Sequence, residues 1–139
     1  MYFDGELHIE LDIRRIEIIM NHIKGHALII SAYTNARNKM WYDVINNERG
    51  KILQEFITIS DLHILNKKTE MPTFESARGR RWVDLTITNN QLLRQVLEWN
   101  TEKESCFDHK IISFKIGEVN HSKHSNIKGI RYLTKGGDY

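Results

Sequence analysis

The 139-residue chain has a single cysteine, Cys106, and a single proline, Pro72. One thiol cannot close an internal disulfide, which excludes a disulfide-stapled secreted scaffold. No basic-then-apolar-then-small pattern opens the sequence as a secretory signal would. The expected compartment is therefore reducing, nuclear or cytoplasmic and not secreted. Long apolar runs are missing as well: the longest, Ala27 to Ile30, has four residues, against the roughly 20 that a membrane-spanning helix needs. Net charge is nearly absent, +2 from 20 Lys+Arg and 18 Asp+Glu, so there is no dense field to attract a polyanion from a distance. Repeats and low-complexity blocks are also lacking. What remains, 40% apolar, 27% charged and 9% aromatic residues, is the composition of a folded globular domain.

The small charge surplus is unevenly placed. Residues 1–117 hold 16 basic and 16 acidic residues, whereas 118–139 hold Lys123, Lys128, Arg131 and Lys135 against Glu118 and Asp138. This last stretch has few apolar residues and no period, and reads as a basic, flexible tail or linker.

Ile9, Ile13, Ile16, Met20 and Ile23 recur at helical spacing, with Glu10 and Asp12 early and Gly25 as a stop, which predicts a helix over about 10–24. His26 to Tyr33 reads as a strand buried on both faces, and Thr34 to Asn47 as a long polar loop. Ile52, Leu53, Phe56 and Ile57 trace one face of a second helix over 48–60, with Asn46 or Asn47 as its cap. Short strands follow at 62–66 and 72–75, then a basic turn at 76–81. In the next strand, 82–87, Val83, Leu85 and Ile87 share one face and Asp84 the other. A helical turn near 90–94, a strand at 95–99 and a final strand at 110–116 complete the order. Helix, strand, helix and then successive strands predict an α+β fold, with one mainly antiparallel or mixed sheet carrying helices on one face. Its other face would be open to solvent or to something outside this chain.

Three places put polar groups at the ends of apolar strands, where a scaffold can hold them fixed: Asn35, Asp84 and Asp108-His109. In phosphodiester chemistry a carboxylate orients a histidine, an asparagine donates to a phosphate oxygen, and acids hold a divalent cation. Surface decoration is the competing reading of an Asp-His pair in a loop. Arg78, Arg80 and Arg81 in the basic turn could grip DNA phosphates or simply be solvated. Trp41 and Trp82 could stack on bases, although buried anchors are commoner, and Trp99 reads as core. His22, His26 and His63 have no Cys or His partners at zinc spacing. His121, His124 and Cys106 read as incidental.

The order of the motifs is more specific than any one of them. Ile30 to Arg37 (ISAYTNAR), Trp41-Tyr-Asp43, Arg49-Gly50, Leu53 to Phe56, Pro72-Thr-Phe74, Val83 to Thr86 and Phe107-Asp-His109 follow one another over residues 1–117. Together they resemble the C-terminal half of the endonuclease domain of an insect-type non-LTR retrotransposon, in the apurinic-endonuclease-like endonuclease/exonuclease/phosphatase superfamily. The resemblance implies half of a four-layer α/β/β/α sandwich. It also implies a Mg²⁺-dependent phosphodiesterase that nicks target DNA to prime reverse transcription. Asn35 would contact the scissile phosphate, Asp84 would orient the catalytic histidine, and Asp108 with His109 would close the site, Asp108 toward the metal. His109 would be the base or the contact to the transition-state phosphate. Implied partners are DNA, an N-terminal half-domain bearing an Asn and a metal-ligating Glu, and a downstream reverse transcriptase. No membrane is implied.

Two positions depart from the family pattern. Tyr33 stands where the water-activating Asp of Asp-x-Asn belongs, and a phenol with an unperturbed pKa of about 10 is a poor base at neutral pH. Phe107 stands where a Ser usually precedes Asp-His. With the first half absent, the resemblance implies a truncated or degenerate copy with weak or no nuclease activity. The alternatives are a non-catalytic DNA- or protein-binding module, or a relic without function.

Overall fold

The structure, a computed structural model, describes residues 1–102 and 108–117. The readings for Cys106, Phe107, His121, His124 and the 118–139 tail lie outside the described residues.

The apolar stripe of the first helix does what its spacing requires. α1 (Ile9–His22) buries Ile9, Ile13 and Ile16, and Gly25 turns the chain away at φ +83°. α2 (Glu48–Ile59) buries Leu53, Phe56 and Ile57 on its inner side. Its cap is Asn47, whose side-chain oxygen accepts from the Gly50 and Arg37 amides at 2.8 and 3.0 Å. This satisfies a helix-end N–H that has no partner within the helix. The capping geometry draws the 34–47 segment against the helix, and a Cβ on Gly50 would lie 1.9 Å from the Arg37 carbonyl oxygen. Only glycine permits that approach.

Both helices lie on one face of a three-stranded sheet, formed by β1 (Ile29–Tyr33), β5 (Asp84–Thr88) and β2 (His63–Ile64) in the order β1-β5-β2. β5 is central and antiparallel to both neighbours, with Tyr33 opposite Asp84 and Ile29 opposite Thr88. Residues 1–3 lie parallel along the outer edge of β1 through Phe3 N–H to Tyr33 O (2.9 Å) and Tyr33 N–H to Met1 O (3.0 Å). Ile30, Ala32, Leu85 and Ile87 meet the helices in the main core, together with the fully buried Trp41.

The fold is α+β as expected, but the strands do not form a single sheet. β3 (Phe74–Ser76) and β4 (Gly79–Arg81) form one separate hairpin, and β6 (Val96–Glu102) and β7 (Ile111–Ile116) form another. The basic stretch at 76–81 is therefore partly strand, and 90–94 forms turns without a helix. The expected open face is also corrected. The β6-β7 hairpin covers it with Trp99 and Phe114, which cluster with Leu65 and the half-buried Ile29 and Ile112. The hairpin bends to do so at an irregularity between Leu97 and Asn100, where Glu98 takes φ +56°. Among the described residues no helix is long and apolar enough to cross a membrane.

The Gly50–Arg37 approach is a rigid backbone contact. Gly50→Ala is expected to lower unfolding free energy by about 3 kcal/mol, measured by urea denaturation. A change within about 0.5 kcal/mol, typical of a neutral surface site, would show that the 34–47 segment yields.

Candidate active site

β5 is buried along its whole length. Leu85 and Ile87 serve the helix side, so the alternation of a strand sends Asp84, Thr86 and Thr88 into the opposite layer, where each needs a polar partner. Thr86 accepts from Trp99 Nε1–H at 3.0 Å, and Thr88 donates to the Leu28 carbonyl at 2.9 Å. Asp84 is met by His109, whose Nδ1 stands 3.0 and 2.9 Å from the two carboxylate oxygens. Both side chains are 8% exposed.

The pair is fixed by the chain around it. Asn66 brackets β5, donating to Asp84 O and accepting from Thr86 N–H, both at 2.9 Å. The fully buried Thr73 hydroxyl accepts from the Val83 and Asp84 amides at 3.0 and 3.1 Å. The backbone of the same segment reaches the other partner: Lys110 N–H donates to Thr73 O and Glu75 N–H to Asp108 O, each at 2.8 Å, and Phe74 bridges His109. Thr73 to Glu75 thus joins the strand that carries Asp84 to the residues that carry His109. Aromatic rings enclose the imidazole. Tyr33 meets it edge-on with centroids 4.3 Å apart, Phe74 does so at 4.9 Å, and Tyr2 lies 5.4 Å from Tyr33.

Burial pushes the Asp84 carboxyl above its ordinary 3.8, while the hydrogen bond and charge of His109 and the Thr73 hydroxyl pull it back. With the carboxylate as acceptor, Nδ1 carries the proton, and proton exchange falls to Nε2. This arrangement suits a histidine acting as a base or as a donor to a phosphate oxygen. A cavity of about 40 Å³ beside the pair, lined by Ser31, Tyr33, Asp84 and Lys110 among others, has room for water.

The sequence-predicted residues divide into two groups. Asp84, His109 and Tyr33 come together. Asn35 sits at φ +51° with its carboxamide donating to Phe3 O at 2.8 Å, so its bond is to the N-terminal segment and not to the pair. Asp108 is exposed. Arg80 and Arg81 lie on β4, Arg81 opposite Phe74, while Arg80 reaches the Glu70 carbonyl and lies 3.7 Å from Glu75. Arg78 is in the exposed connection before β4. Trp41 is core, and Trp82 is half-buried with its amide on Asp43. Among the described residues no group of three or more His, Cys, Asp or Glu could hold a metal ion. Mg²⁺ requires an ordered shell of oxygen ligands. Asp84 is committed to His109, so these residues alone do not fit a Mg²⁺ site.

Sequence reasoning assigned no role to Thr73, Asn66 or Asp43. Thr73 falls within the Pro72-Thr-Phe74 motif, but hydrogen bonds spanning 10 and 11 residues leave no periodic signal.

The chain belongs to the endonuclease-reverse transcriptase family, whose model matches residues 1–113. It is 27% identical over 120 residues to the putative 115 kDa protein in the type-1 retrotransposable element R1DM of Drosophila melanogaster, covering 80% of this chain and 12% of that protein. It is 24% identical over 98 residues to the retrovirus-related Pol polyprotein from the type-1 retrotransposable element R1 of Bradysia coprophila, covering 64% and 10%. Among solved structures it is similar to the endonuclease domain of TRAS1, a telomere-specific non-LTR retrotransposon, with TM-score 0.79, 26% identity and coverage of 86% of this chain and 56% of that one. The chain thus has a retrotransposon endonuclease fold of the endonuclease/exonuclease/phosphatase type. It spans about a tenth of the curated relatives it matches.

Thr73→Val removes the acceptor for two buried amides and is expected to cost about 2 kcal/mol or more. Thr73→Ser should stay within about 1 kcal/mol of the parent. Urea unfolding measures the difference, and equal stability of the two variants would remove Thr73 from the bracket.

Proposed function

We propose that the chain is a degenerate portion of a retrotransposon endonuclease domain. Its ancestral reaction is Mg²⁺-dependent nicking of target DNA to prime reverse transcription, and that reaction is impaired here. The observation that carries this reading is the buried Asp84–His109 pair with the Tyr33 ring against the imidazole. The pair retains the means to orient a catalytic histidine, while the adjacent position that should activate water holds a phenol. Asn35 and Asp108 complete the chemistry in the ancestral site, Asn35 toward the phosphate and Asp108 toward the metal. Further metal ligands would come from an N-terminal half-domain outside this sequence. Residues 1–117 form the nuclease portion, and 118–139 act as a basic linker toward a reverse transcriptase.

DNA is the partner that the family implies. Arg81 lies opposite Phe74, which packs on His109, and Arg78 is exposed in the adjoining turn, so phosphates held there would pass beside the pair, while Arg80 lies opposite Glu75 on the other side of the hairpin. A reading in which this surface binds DNA without cleaving it draws on the same residues.

Supercoiled-plasmid nicking in Mg²⁺ tests the proposal. The unmodified chain should show no nicking above background. Strong nicking that His109→Ala abolishes would overturn the impairment. In a fusion supplying an upstream half-domain, Tyr33→Asp should raise the rate by about 10²–10⁴, the span of one general base. No gain would show that Tyr33 is not the lesion.

A further inference from the structure

The first helix is apolar on its outer face as well as its inner one. Leu7, just before the helix, and Leu11 and Ile18 within it are 53%, 52% and 61% exposed. Leu11 and Ile18 lie seven residues apart, close to two turns, so they share a face, opposite the buried Ile9, Ile13 and Ile16. Leu7 precedes Leu11 by four residues and extends the row. A surface helix ordinarily keeps one apolar stripe toward the core and a polar face toward water, and a helix apolar on both sides is covered on both. Aliphatic side chains scattered singly over a surface are ordinary, whereas an aligned row marks a docking face.

The row is set in negative charge. Residues 1–17 carry Asp4, Glu6, Glu10, Asp12 and Glu17 against Arg14 and Arg15, and Arg15 is engaged with Asp12 at 3.3 Å. Glu6, Glu10 and Glu17 are exposed and form no ion pair among the described residues. A second copy of the chain would bring the same carboxylates to its own side, and like charges across an interface oppose association. The complement lies in this chain. Residues 1–117 balance at zero, so the whole positive surplus belongs to 118–139, where Lys123, Lys128, Arg131 and Lys135 stand among Ile127, Ile130, Tyr132 and Leu133.

The chain leaves the described residues at Gly117, at the same end of the molecule as the last turn of α1. Gly117 N–H donates to Gln95 O at 2.8 Å, the Gln95 carboxamide to Gln91 O at 3.3 Å, and the Gln91 carboxamide to the carbonyl of Gly25, three residues beyond His22, at 2.7 Å. Ten residues span up to about 33 Å, against about 21 Å for the whole of α1, so Ile127 can reach Ile18, and Leu133 can reach Leu11. We propose that residues 123–135 dock along the outer face of α1, antiparallel to it, with Ile127, Ile130 and Leu133 covering the row from Ile18 to Leu7 and the cations between them facing Glu17 and Glu10. Tethering supplies what so small a contact lacks, since a short linker holds the segment at about millimolar effective concentration. The docking does not rest on the nuclease reading. It leads the chain beyond Gly117 along the helix layer, on the opposite side of the sheet from the Asp84–His109 pair.

Trypsin cleavage after Lys128 and Arg131 tests the docking in the full chain, with a free peptide of residues 118–139 as the reference. In the parent these bonds should be cut about tenfold more slowly than in the peptide, the protection given by a contact that is closed about nine-tenths of the time. Leu11→Ser with Ile18→Ser should abolish the protection, and Glu10→Gln with Glu17→Gln should reduce it several-fold. All four residues are exposed, so circular dichroism and melting should match the parent. If the Leu11 and Ile18 double variant does not fold, Ile127→Ser with Ile130→Ser replaces it, read against a peptide bearing the same changes, and the same loss is expected. Equal cleavage rates in parent and peptide overturn the proposal, as does protection that survives the apolar substitutions. Protection that grows with protein concentration assigns the face to a second copy and overturns it too.

Discussion

A strand covered on both faces can carry polar side chains only where each finds a partner, because a buried polar group without one costs about 1–3 kcal/mol. β5 is such a strand. Its aliphatic residues face α1 and α2, and its polar residues meet Trp99 of the β6-β7 hairpin, His109 and the Leu28 carbonyl. The Trp99–Thr86 bond and the His109–Asp84 pair are therefore where the second layer is pinned to the first. The candidate chemistry is part of that pinning: the contacts that keep Asp84 satisfied are those that orient His109.

The second constraint lies on the helix side. Asn47, Gly50 and Arg37 lock the start of α2 to the loop after β1, and Trp41 plugs the core from within that loop. The loop has no freedom to hide its remaining apolar side chains, and Asp43 carries its rigidity to Trp82, two residues before Asp84. The site and the loop beside it are thus held by one connected frame of buried polar groups.

The rings around His109 give the site its particular character. A carboxylate at position 33 would face the same imidazole across β1, in register with Asp84. Tyr33 supplies an apolar wall there, stacked toward Phe74 with ring centroids 6.4 Å apart and edge-on to the imidazole. The enclosure raises the cost of charge on Asp84 and strengthens its bond to His109, because electrostatic interactions grow as water is excluded.

Much of the frame is legible in the sequence because it is local. The stripe at Ile9, Ile13 and Ile16, the Asn47 cap and the alternation that turns Asp84 away from Leu85 all follow from the period of the backbone. Asn35, Asp84, Asp108 and His109 stand out as polar groups at the ends of apolar strands, and the family resemblance adds Tyr33 and the expected roles, since ordered motifs survive where single residues are ambiguous. Tertiary structure alone decided which strands pair, that a hairpin and not solvent covers the second face of the sheet, and that Asn35 bonds to Phe3 while Tyr33 joins the pair. It also gave Thr73 and Asn66 their roles as brackets of β5. The physical reason is range: a helical or strand period is a property of neighbours in the chain, whereas the partner of a buried polar group is chosen by whichever distant segment the fold brings within about 3 Å.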